Sequence, residues 1–197
     1  MSNIIHDWRK PYDAATLISF REVSEWGEAR IVATHKNLSI FSPTLTVSES
    51  IIRYTESPDS EASVDVIMPT IQNCEDEYQM NFRKLIEDID NLLREHIVLF
   101  PDAIRHFAID SQQAGRLMQR QFNRFYDDQT NQDIMRCKAK LFRDIPVCDF
   151  HGRRIPNVRE LRKGQKCRVH LVYNGPSNKI WGPFRNNWTI SCLYLDK

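Results

Sequence analysis

The chain has 197 residues, of which 41% are hydrophobic and 27% charged, with a formal net charge of +1. That length supplies one sizeable core, and no apolar run approaches a membrane span, which excludes a helical membrane protein. The five cysteines, at positions 74, 137, 148, 167 and 192, and an N-terminus (MSNIIHDWRK) without an apolar h-region fit a reducing compartment better than a disulfide framework, and a soluble intracellular protein is expected.

The near-zero charge conceals an asymmetry. Residues 136–197 carry 14 Lys/Arg against 4 Asp/Glu, a balance of +10, whereas residues 1–135 carry 13 against 22, a balance of −9. Opposed halves of this kind point to a nucleic acid or another anionic surface. The alternative is that the two halves simply neutralise each other on folding.

In chain order, residues 1–14 read as a flexible arm and 15–197 as a single domain. Strands are expected at Thr16–Val23, Glu28–Thr34, Leu38–Phe41, Thr44–Tyr54 and Val64–Met68, rich in β-branched residues and separated by Gly, Pro and Ser breaks. The period then changes. Phe82, Leu85, Ile86, Ile89, Leu92 and Leu93 recur at helical spacing between Glu77 and His96, with Glu75-Asp76-Glu77 at the end where the helix dipole favours anions. A second helix is expected from Ser111, with Leu117, Met118, Phe122 and Phe125 along one side, which makes 75–126 a helical insertion. Strands return over 145–197: Ile145–Phe150, a turn at His151-Gly152-Arg153-Arg154, Val158–Arg162, then Cys167–Tyr173 and Thr189–Leu195. The last two are joined by an arm containing Trp181 and Phe184. The predicted fold class is therefore α+β: an OB-like antiparallel β-barrel with one or two helices inserted between N-terminal and C-terminal strands, the helix following the third strand.

Candidate chemistry is sparse. Cys148-x2-His151 and Cys167-x2-His170 repeat one spacing that would supply four zinc ligands. The second pair lies in an expected strand, however, where residues three apart face opposite ways, Cys167 into the core and His170 outward. Phosphate loops, metalloprotease and nucleophile-elbow motifs are absent, so neither an enzyme nor a cofactor is expected. Single-strand binding needs cations along a backbone and flat rings for bases. The candidates are Lys138, Lys140, Arg143, Arg153, Arg154, Lys163, Lys166, Arg168, Lys179 and Arg185, with Trp181, Phe184 and Trp188 as rings. Phe41 and Tyr54 are further ring candidates, and burial of Trp188 in the core is the competing reading for that residue. Arg116, Arg120 and Arg124 form a stripe without a base-reading pattern, which argues against duplex readout.

Taken together, the G-x-x-R-I of Gly27–Ile31, the S-P-T-L of Ser42–Leu45, the helix pattern from Phe82 to Asp90, M-R-C-K-A-K-L (Met135–Leu141), D-F-H-G, L-R-K-G and the closing N-N-W-T-I-S-C-L-Y-L resemble the single-stranded DNA-binding proteins of large eukaryotic DNA viruses. The resemblance runs from about residue 26 to the end. It implies an OB-fold protein that coats exposed strands during viral DNA replication or recombination, in host cytoplasm or nucleus, without cofactor or catalysis. Lys138, Lys140, Lys163, Trp181 and Trp188 match the family's basic and aromatic blocks, whereas Asn186-Asn187 stand where a glycine is favoured. The expected partner is single-stranded DNA, with RNA the nearest variant and a homo-oligomer open. The alternative function is a structural module that self-associates through its acidic and basic halves.

Overall fold

A computed structural model describes residues 4–25, 28–34, 38–47, 62–68, 76–99, 124–127, 132–139, 147–155, 164–176 and 186–196. The N-terminal segment is anchored. β1 (Ile4–Ile5) pairs in parallel with the strand Ser39–Phe41, and Trp8, only 3% exposed, packs edge-on to Tyr12 and Phe82 at ring distances of 5.7 and 5.2 Å. The Trp8 indole donates to the Phe41 carbonyl at 2.8 Å, and the Asn81 amide donates to the Trp8 carbonyl at 2.8 Å. This corrects the expected arm over residues 4–14: burying a large ring with its polar groups paired offsets the cost of ordering the segment. Asp13 then caps α1 (Ala14–Leu17), accepting from the Ala15 amide at 3.0 Å. Where a strand is expected from Thr16, a helical turn forms first.

β2 (Ser19–Glu25) and β3 (Glu28–Thr34) make a separate antiparallel pair. β4 (Ser39–Phe41), β5 (Leu45–Val47) and β6 (Ala62–Met68) follow, then α2 (Glu77–Leu99). The Asp76 carboxylate accepts from the Gln79 amide at 2.9 Å, an N-cap bond. Phe82, Leu85, Ile86, Ile89 and Leu93 are buried, and Leu92 packs against the same core. That is the stripe expected from the sequence.

β7 (Arg124–Asp127) and β8 (Gln132–Ala139) pair antiparallel, with Phe125 opposite Ile134. Phe125 therefore belongs to a strand and not to the second helix expected over Ser111–Phe125; the aromatic content of Arg-Phe-Tyr-Asp suits a pleated ladder. The rest of that helix, like Val158–Arg162, lies outside the described residues. β9 (Val147–Cys148), β10 (Lys166–Pro176) and β11 (Asn186–Leu195) complete the chain.

β10 is the hub, antiparallel to β4, β5 and β11. From β5 the pairing passes to β6, then β8, and β8 meets β11 in parallel at Thr189↔Lys138. The central helix thus enters between β6 and β8, after the second strand of this circuit and not the third. The difference arises because Gln132–Ala139, whose Lys and Arg obscure its alternation, is itself a strand. Gly175, at φ 84, accommodates the irregularity between Tyr173 and Pro176.

One core fills the space between strands and helix, including Ile40, Leu45, Val47, Val169, Leu171, Tyr173, Trp188, Ile190 and Leu193. Tyr173, Asn186 and Asp90 are paired with one another. The Tyr173 hydroxyl donates to the Asn186 side-chain oxygen at 2.5 Å, and the Asn186 amide donates to the buried Asp90 carboxylate at 2.9 Å, tying β10 and β11 to α2. Burial, followed by the neighbouring Asp90 charge, holds the Tyr173 phenol far above its usual range.

Candidate nucleic-acid interface

Strict alternation in β10 decides which side chains reach solvent. Cys167, Val169, Leu171 and Tyr173 are buried, and Lys166, Arg168, His170 and Val172 lie between them, partly exposed. Directly opposed residues of neighbouring strands share a face. His170 lies opposite Phe41 on β4 and Cys192 on β11, and Arg168 lies opposite Tyr194. The result is an outward cluster of rings and cations. The Phe41 ring is 5.2 Å from that of Tyr194 and 5.8 Å from that of His170, tilted in both cases. The Arg168 guanidinium stands 5.9 Å from the Phe41 ring centre, within cation–π range. It also lies 3.4 Å from Asp196, whose carboxylate accepts from the Thr44 hydroxyl at 2.7 Å.

Of the candidates named from sequence, Lys166 and Arg168 lie on this face, and Arg153 and Arg154 are exposed beyond β9. Lys138 is placed by register only, opposite Ser63 and Thr189. Lys140, Arg143, Lys163, Lys179, Trp181, Phe184 and Arg185, and Tyr54 with them, lie outside the described residues. Trp188 requires a correction as a stacking ring. It is 2% exposed and packs at 4.8 Å against Tyr173, because its side of β11 points into the core. Tyr194 and His170 are not among the residues that the sequence offers as nucleic-acid contacts. Their signal is local: His170 stands between the apolar Val169 and Leu171, and Tyr194 between the apolar Leu193 and Leu195, all four of which are buried.

No protein-family model matches the sequence, and no curated protein does. Among solved structures, the chain is similar to the single-stranded DNA-binding protein from bacteriophage Enc34, with a TM-score of 0.53 and 12% identity over 90% of this chain and 89% of that one. The same Enc34 protein in complex with ssDNA gives 0.45 at 14% identity, over 90% of this chain and 95% of that one. The single-stranded DNA-binding protein gp2.5 of bacteriophage T7 gives 0.48 at 15% identity, over 81% and 86%. The Enc34 likeness at 0.53 shows a shared fold, mixed α+β with a central helix between strands. These neighbours are phage proteins; the eukaryotic-virus family is not shown by them.

Among the described residues the two Cys-x2-His pairs are not brought together as a metal centre. Cys167 is fully buried, its thiol pushed up to about 12 by burial and then by Asp196, while His170 faces outward, as the alternation predicts. Among the described residues no three His, Cys, Asp or Glu side chains are grouped to hold a metal ion. No helix among them is long and apolar enough to cross a membrane.

His170 has one ring nitrogen 2.6 Å from the Ser191 hydroxyl, and burial lowers its pKa from 6.5. His96 is lowered too, by burial against the opposing pull of Glu22. Below about pH 6.5 the unfolded chain takes up protons that the folded one refuses, so the contribution of both groups is present above that pH and is lost as pH falls. His170→Gln is expected to shrink the drop in Tm between pH 7.5 and pH 5.5. An acid-induced drop identical to that of the parent chain would remove His170 from this account.

Proposed function

We propose that this chain is a sequence-tolerant single-stranded DNA-binding protein with an OB-like β-barrel, coating exposed strands during viral DNA replication or recombination without catalysis or cofactor. The observation that carries the reading is the outward cluster of Phe41, Tyr194, His170 and Arg168 across β4, β10 and β11. Rings on a solvent face, with a guanidinium beside them, offer stacking surfaces to unpaired bases and a cation to the backbone. A duplex, whose bases already stack on each other, cannot use the rings. The fold shared with a phage single-stranded DNA-binding protein supports the same reading. Lys138, Lys140, Arg143, Lys163, Lys166, Lys179 and Arg185 are proposed as further backbone contacts and Trp181 and Phe184 as further rings, on the strength of the +10 balance of residues 136–197.

Titration of fluorescent oligo-dT and of an equally long duplex at several salt concentrations tests this. Tighter binding to the single strand is expected, with log K falling against log salt by about 0.7 per phosphate neutralised. Equal affinity for duplex, or no salt dependence, overturns it. Self-association that dissolves at high salt, with no oligonucleotide binding, would favour the structural module instead.

A further inference from the structure

We infer that the turn Asp149–Arg154 is a second station on the same single strand, with the Phe150–His151 ring pair receiving a base and Arg154 a phosphate; this rests on the single-strand reading above. The turn is built in advance. One Asp149 carboxylate oxygen accepts from the amides of His151 and Arg153, each at 2.9 Å, and the other accepts from the Arg153 guanidinium at 2.8 Å. The Gly152 amide closes onto the Asp149 carbonyl at 2.9 Å, and Gly152 itself, at φ 78, takes a left-handed conformation that side chains disfavour. On this frame Phe150 is 41% exposed, its ring centre 3.7 Å from that of His151. Phe150 is thus one of the exposed large hydrophobic side chains among the described residues.

Register places the turn on the interface. Arg168 lies opposite Tyr194, Tyr194 opposite Cys148, and Cys148 forms an antiparallel bridge with Arg154. Opposed residues share a face, so Arg154 emerges on the side of Tyr194, Arg168 and Phe41. At a strand spacing of ~4.8 Å, Arg168 and Arg154 stand about 14 Å apart with Tyr194 between them. A row of Arg168, Tyr194 and Arg154 across the strands, with the ring pair in the turn that Cys148 and Arg154 close, suits a nucleic-acid strand that crosses the β-strands. Of the two arginines of the turn, Arg153 pairs with Asp149 and Arg154 is the one that the bridge to Cys148 places on this row.

The experiment uses the full chain with Phe150→Ala and Arg154→Gln, titrated with labelled oligo-dT across salt concentrations, and with Tyr194→Ala as the reference variant. Phe150→Ala is expected to weaken binding by about 5- to 100-fold. Arg154→Gln is expected to reduce the salt slope by about 0.7. Wild-type affinity in Phe150→Ala and an unchanged slope in Arg154→Gln, while Tyr194→Ala binds weakly, overturn the turn as a contact and leave the single-strand reading standing. Absence of oligo-dT binding by the wild-type chain overturns both.

Discussion

Tyr194→Ala and Phe41→Ala are each expected to weaken single-strand binding by about 1–3 kcal/mol, roughly 5- to 150-fold, with little change in Tm. Both side chains are partly exposed on the outward face of strands whose opposite side is buried, so their removal strips a stacking surface without opening a cavity at the centre of the core. Their rings are 5.2 Å apart, close enough that the double variant should lose less than the sum of the single losses. Tyr194→Phe keeps the ring and should keep most of the affinity. The phenol is held above its usual pKa by its hydrogen bond to Cys192 first, so it is neutral at working pH and repels no phosphate. Arg168→Ala should add a salt-sensitive loss, because its guanidinium stands over the Phe41 ring and is the cation proposed for the nucleic-acid backbone. Fluorescence anisotropy at fixed salt, with a thermal melt of each variant, reads both quantities. Wild-type affinity in both alanine variants would show that this face does not carry the binding.

What could be read from the sequence follows from periodicity. The α2 stripe repeats at helical spacing and is legible residue by residue, while Glu28–Thr34 and the two long C-terminal strands are legible as strands from their β-branched and aromatic content. β8 was missed because Arg136 and Lys138 interrupt the apolar count, although Met135, Cys137 and Ala139 alternate with them. The interface was only partly legible for a different reason. Phe41 and Tyr194 stand near opposite ends of the chain, and only the pairing of β10 with both β4 and β11 makes them neighbours. Trp188 was ambiguous because alternation divides a strand into two faces without saying which is inside. In β11 the phase also slips: Trp188 and Ile190 point inward, then Leu193 and Leu195, with the register shift between His170 and Leu171 on β10 absorbing the extra residue.

Burial makes Trp188, the largest fully enclosed side chain among the described residues, the one with the largest expected effect on stability. Trp188→Ala should cost about 3–5 kcal/mol, since it removes a fully enclosed indole from the centre of the core and leaves a cavity that the paired strands cannot collapse to fill. For a chain of this size that corresponds to a fall in Tm of about 6–20 °C. The damage should spread along β11, because Asn186, two residues earlier, joins Tyr173 to Asp90, and the Tyr173 ring is the one that packs on Trp188. Trp188→Phe retains an aromatic ring against Tyr173 and should recover most of the lost stability. It also separates two roles for this position. A core tryptophan replaced by phenylalanine lowers Tm modestly and leaves oligo-dT affinity unchanged, whereas a base-stacking tryptophan would show unchanged Tm with weakened binding. Melting and anisotropy on the same Trp188→Phe sample decide between them, and the second outcome would return Trp188 to the nucleic-acid face.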